Sequence, residues 1–168
     1  MRQTILIITF ILSYAVNVNG QNFVFIGENS YPSTEKFMLQ SNSDREDIGN
    51  LNLVFAKDGR TSLIIVSSKL TDGVKIAKKL IIYLDDGTVI LCTDRGINDN
   101  VDNVAISAYY LTASELSKMK ISNINTVRFE IVCPVCGPFN SWEGVYSASN
   151  KGNSETNFTE AVTDFFKE

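Results

Sequence analysis

Two apolar runs joined by an acidic turn, Lys79–Leu84 and Thr88–Asp94 around Asp85-Asp86-Gly87, constrain the fold of this chain more than any other stretch. Asp-Gly between alternating apolar residues is a hairpin signal, because a type I′ turn needs positive φ at both central residues. With Asp86-Gly87 as a two-residue turn, Leu84 opposes Val89, Ile82 opposes Leu91 and Leu80 opposes Thr93. Opposed residues share a face, so the pattern predicts Leu80, Ile82, Leu84, Val89 and Leu91 on one side of the sheet. Ile81, Tyr83, Ile90 and Cys92 would line the other side. A strand pair apolar on both faces belongs near the middle of a sheet. A second hairpin is predicted around Lys57-Asp58-Gly59-Arg60, between Leu51–Phe55 and Leu63–Val66.

The rest of the chain adds strands and two helices. Val104–Leu111 reads as a strand, as does Val127–Cys133, where Val127, Phe129, Ile131 and Cys133 alternate with Arg128, Glu130 and Val132. Gly144–Ala148 is expected to return antiparallel to it. Thr112 and Glu115 have the spacing of a capping box, which starts a short helix from Ala113 to about Lys120. Phe158, Ala161, Val162 and Phe165 fall at i, i+3, i+4 and i+7, with Phe166 widening the stripe. Asn157 and Glu160 have the spacing of a second capping box there. The expected fold class is α+β: a mostly antiparallel sheet built from hairpins, with a short helix after residue 112. A C-terminal amphipathic helix would pack on one face of that sheet.

The N-terminus argues for export. Arg2 precedes an apolar run from Ile5 to Val16, interrupted only by Thr9, Ser13 and Tyr14. Val18 and Gly20 then occupy the minus-three and minus-one positions of a cut before Gln21. Residues 1–20 read as a signal peptide, too short for a stable membrane span, and residues 21–168 as a single compact domain. The expected location is exported, in the periplasm or outside the cell, with no membrane span in the mature chain.

The formal net charge is −4 for the whole chain, and −5 once Arg2 leaves with the leader. An acidic surface argues against nucleic acid, whose affinity comes from Lys and Arg neutralising phosphates. The cluster Lys75, Lys78 and Lys79 reads as a solvated strand face. The chain contains no histidine. That removes Ser-His-Asp and Cys-His nucleophiles, His-ligated zinc and His general bases, so the composition leans away from catalysis and singles out no catalytic residue or cofactor.

Three cysteines remain to be placed. Cys133-Pro134-Val135-Cys136 has redox spacing, but a strand precedes it and Gly137, Pro138, Asn140 and Ser141 follow. This is a hairpin connection without the helix N-terminus that would stabilise a thiolate. In an oxidising compartment a bridge is expected, Cys133–Cys136 within the loop or Cys92–Cys133 between neighbouring strands. Cys92, Cys133 and Cys136 with Asp94 could also supply four zinc ligands, though in an unusual geometry.

Asp94, Asp99 and Asp102, interspersed with Asn98, Asn100 and Asn103, could offer oxygens to calcium or contact a ligand. The spacing lacks the central glycine and terminal glutamate of an EF-hand loop, and Asp and Asn are favoured in turns for their own hydrogen bonds. Trp142, between Asn140-Ser141 and Glu143-Gly144, is a candidate sugar platform or partner anchor, with a half-buried ring closing a sheet edge as the alternative. Asn157-Phe158-Thr159 fits the glycosylation sequon but overlaps the helix cap.

Phe23 to Leu39, Tyr83-Leu84-Asp85-Asp86-Gly87-Thr88, Tyr110-Leu111-Thr112, Ser122-Asn123-Ile124 and Val127-Arg128-Phe129 together resemble small exported bacterial proteins of unassigned function. The resemblance spans most of the mature chain and implies a Gram-negative setting, hence periplasm or cell exterior. It brings no catalytic motif. The expected function is an exported, non-enzymatic binding or accessory module for a protein or glycan. Thiol-disulfide or metal chemistry at Cys133, Cys136 and Cys92 is the alternative.

Overall fold

A computed structural model describes residues 22–137 and 140–167. The expected leader, residues 1–20, lies outside the described residues, as does Pro138. Among the described residues eleven strands run β1 (Asn22–Ile26), β2 (Asn29–Ser33), β3 (Phe37–Ser41), β4 (Leu51–Asp58), β5 (Thr61–Lys69), β6 (Lys75–Leu84), β7 (Val89–Thr93), β8 (Asn98–Val101), β9 (Val104–Leu111), β10 (Ile124–Val132) and β11 (Gly144–Ser149). Helix α1 (Ala113–Met119) follows β9, and α2 (Phe158–Phe165) closes the chain. All pairings are antiparallel, in the order β7-β6-β10-β11-β3-β4-β5-β9-β8, with β2 bridging β1 to β4.

The α+β expectation is corrected. Strands take 51% of the described residues and helices 12%, in a sheet curled into a half-barrel. The reason lies in what covers each face. The curl brings Phe55 and Ile64 of one half into the same core as Leu80, Ile82 and Phe129 of the other. The outer face of β4, β5 and β9 is covered by the β1–β2 hairpin, where Ile26 and Tyr31 pack on Val54, Ala56, Leu63 and Ile65. The sheet thus covers itself on both sides there and leaves no face for a helical layer. Helix α2 inserts one stripe, Phe158 and Val162, into the shared core, with the Phe158 ring 5.4 Å from Phe37 and 6.2 Å from Phe55.

The hairpins form, but not all in the predicted register. In β4–β5, Asp58 pairs with Thr61, leaving Gly59-Arg60 as a two-residue turn with Gly59 at φ 58°. In β6–β7 the turn has three residues: Leu84 N–H donates to Thr88 O, and Gly87 N–H donates back to Leu84 O. Gly87, at φ 84°, takes the left-handed position that such a turn needs. The extra residue slides the register by one, so Ile82 pairs with Ile90 and Ile81 with Leu91. Ile90 and Cys92 therefore point into the core, while Val89 and Leu91 are each 51% exposed on the outer face. Nor is the hairpin central, since β7 ends the sheet.

Capping follows local chemistry. Thr112 and Glu115 form the reciprocal capping box of α1. For α2 only half is present: Asn157 accepts from Glu160 N–H, while the Glu160 carboxylate meets the Asn157 side-chain amide rather than its backbone. No helix among the described residues is long and apolar enough to cross a membrane.

Candidate functional site

One end of the half-barrel gathers the loops that follow β3, β5 and β10. The β3–β4 loop holds Arg45 and Asp47, and the β10–β11 loop holds the cysteine pair and Trp142. Arg45 donates from Nε to Asp47 Oδ1 at 2.9 Å and from Nη2 to Oδ2 at 2.5 Å. This two-point pairing holds the Asp47 carboxyl below the usual carboxylate range and the guanidinium above its own. Arg45 Nη1 also donates to Ser141 O, and its Cζ lies 5.7 Å from the centroid of the Trp142 ring. That geometry suits a cation–π contact.

The Trp142 loop is braced from within. Asn140 Oδ1 accepts from the N–H groups of Trp142 and Glu143 at 3.1 and 3.0 Å, and Tyr146 OH donates to Trp142 O at 3.2 Å. Glu143 Oε1 reaches across the loop to accept from Cys133 N–H at 3.2 Å. The sulfurs of Cys133 and Cys136 stand at disulfide distance, with Cα atoms 5.2 Å apart, and Cys136 N–H donates to Cys133 O. Cys133 is buried, Cys136 half-buried, and Val135 between them is 77% exposed. Trp142 is half-buried, one side packed on the inner core.

Cys92 stands apart from that pair. It is free and buried on the inner side of β7, and burial, with a smaller effect of Glu115, pushes its pKa up to about 12. The proposed Cys92–Cys133 bridge therefore has no counterpart here. Neither does the zinc site: no group of three or more Cys, Asp or Glu among the described residues is placed to hold a metal.

The three candidate aspartates serve the backbone in three separate places. Asp94 accepts from Lys78 N–H at 2.8 Å and Gly96 N–H at 2.7 Å, filling a bulge in β6 where Lys78 takes φ 62°. Asp99 accepts from Gly27 N–H at 3.0 Å and so ties the turn of the covering β1–β2 hairpin to β8. Asp102 and Asn103, at φ 53° and 62°, are the central residues of the β8–β9 turn. That strand pair was not expected within the polar loop; its signal was the Asp-Asn dipeptide, two residue types that tolerate left-handed backbone.

Arg45, Asp47 and Tyr146 were missed as site residues. Arg45 reaches Ser141 and Tyr146 across 96 and 101 residues of sequence, and no local pattern encodes such a partner. A shallow depression of about 440 Å³ adjoins the same end, lined by Glu46, Asp47, Lys69, Thr71 and Asn103. Asn103 brings the Asp94–Asn103 segment to this end, but the depression draws no lining residue from the cysteine loop.

No protein-family model, curated protein or solved structure matches this chain.

Proposed function

We propose that the protein is an exported binding or accessory module whose ligand, a protein or a glycan, meets the loop end carrying Trp142. The observation behind this reading is the Arg45 guanidinium over the Trp142 ring, fixed there by Asp47 and Ser141. Trp and Arg dominate binding hot spots. A ring and guanidinium already ordered lose little freedom on binding, so more of the contact energy becomes affinity. The rigid sheet beneath and the cysteine pair beside them support the same arrangement.

Trp142 is the only tryptophan, so its emission reports directly on this loop. Titration with soluble oligosaccharides, peptidoglycan fragments and peptides is expected to give a saturable emission change with one ligand class. Arg45→Ala is expected to weaken that ligand by about tenfold, the range of a truncated hot-spot residue. A ligand that binds by calorimetry yet leaves emission and the Arg45→Ala affinity unchanged would overturn the placement.

A second reading, thiol-disulfide exchange, is favoured by the bonding distance between Cys133 and Cys136. Burial of Cys133 and the turn that holds it argue for a structural bridge, since exchange needs an accessible sulfur and a stabilised thiolate. Insulin reduction assayed with the protein and its Cys133→Ser and Cys136→Ser variants separates the two. No turnover above background is expected; turnover lost in either variant would establish exchange instead.

A further inference from the structure

We propose that a second copy of this chain pairs antiparallel with the open edge of β7, about a two-fold axis at Leu91. Strand β7 ends the sheet, and its hydrogen-bonding phase follows from its two ends: Leu84 N–H donates to Thr88 O, and Asp94 N–H donates to Lys78 O. In an antiparallel ladder bonded and non-bonded pairs alternate. Ile90 and Cys92 therefore spend their backbone groups on β6, while Val89, Leu91 and Thr93 turn theirs to the open side. Edges of this kind are normally blunted by charge, proline or a bulge. Val89-Ile90-Leu91-Cys92-Thr93 has none of these. The opposite edge, β8, carries Asp99.

The charges flanking β7 select the partner and its direction. At one end lie Asp85 and Asp86. At the other lie Lys79, Lys78, which pairs with Glu130 at 3.5 Å, and Arg95, whose Cζ lies 5.4 Å from the Tyr110 ring centroid, with Asp94 there already occupied by two backbone N–H groups. Antiparallel self-pairing places Val89 opposite Thr93, Leu91 opposite Leu91, and Gly87 opposite Arg95. The acidic turn of each copy then meets the basic end of the other, whereas parallel pairing would set like against like. The exposed outer row of Val89 and Leu91 continues without a break into its copy, the self-complementary patch that a two-fold interface requires.

Sedimentation velocity over a wide concentration range, at low and high salt, tests this. The expected result is a monomer–dimer equilibrium that weakens with salt. Leu91→Lys sets two ammonium groups face to face on the axis, and Thr93→Pro removes an outward N–H; each is expected to shift the equilibrium to monomer by at least about tenfold. Arg95→Glu should weaken it, and Asp86→Lys in that background should recover part of the loss. Melting curves of dilute variants matching the parent exclude misfolding. Phe25→Lys, on the exposed and equally uncharged β1, should leave the dimer unchanged. A monomer at every concentration, a dimer insensitive to Leu91→Lys and Thr93→Pro, or one abolished by Phe25→Lys would each overturn the proposal.

Discussion

The β4–β5 and β6–β7 hairpins look alike in sequence and end in opposite situations. Each joins two apolar runs through an Asp-Gly, and each is apolar on alternate and intervening positions. In β4–β5, Phe55 and Ile64 face the inner core, while Val54, Leu63 and Ile65 lie beneath the β1–β2 hairpin. In β6–β7, Leu80, Ile82, Ile90 and Cys92 reach the same inner core, but Val89 and Leu91 are half exposed. The difference is one distant hairpin, held down where Asp99 accepts from Gly27 N–H. Apolar residues on both faces of a strand pair thus state a capacity for burial; what fills it comes from elsewhere in the chain.

The largest expected effect is in the doubly covered pair. Phe55→Ala should destabilise by about 3–5 kcal/mol and Ile65→Ala, on its other face, by about 2–5 kcal/mol, since both leave cavities in fixed surroundings. Urea unfolding measures both, and a mild Ile65→Ala would mean that the β1–β2 cover is loose.

Next comes the buried side of β6–β7. The unfolded Cys92 thiol ionises near 9.0, whereas the folded one keeps its proton to about 12. Its contribution is therefore complete below pH 9 and is lost at up to about 1.4 kcal/mol per pH unit as pH rises towards 12. Tyr109, raised by burial from 10.0 to about 12, adds in the same direction at higher pH. Stability measured against pH should fall less steeply in Cys92→Ala; identical slopes would show that the inner face admits water.

The turns come third. Gly87→Val forces a β-branched residue to φ 84° where a new Cβ meets nothing within 4 Å, so backbone strain alone should cost about 1–3 kcal/mol. Gly59→Val, at φ 58° and equally open, should lose a similar amount. An unchanged melting temperature in either variant would break the parallel between the two turns. The smallest effect is at the surface: in dilute protein Leu91→Ala should change stability by less than about 0.5 kcal/mol. A larger loss would mean that something covers that face in solution.

The sequence determined what depends on near neighbours. Strand β9 and the capping box of α1 stand where Val104–Leu111, Thr112 and Glu115 predict them, because alternation and a three-residue reach are local geometry. Both Asp-Gly hairpins form for the same reason, and the close spacing of Cys133 and Cys136 brings their sulfurs within bonding reach. One residue of turn length, by contrast, is invisible to composition. It took Val89 and Leu91 off the face they were expected to share with Leu80, Ile82 and Leu84, and put Ile90 and Cys92 there instead. The curl of the sheet, the cover over β4–β5 and the seat of Arg45 on Trp142 were decided only in three dimensions. Each joins segments separated by tens of residues, and which apolar face meets which is settled by the collective burial of the whole chain rather than by any stretch of it.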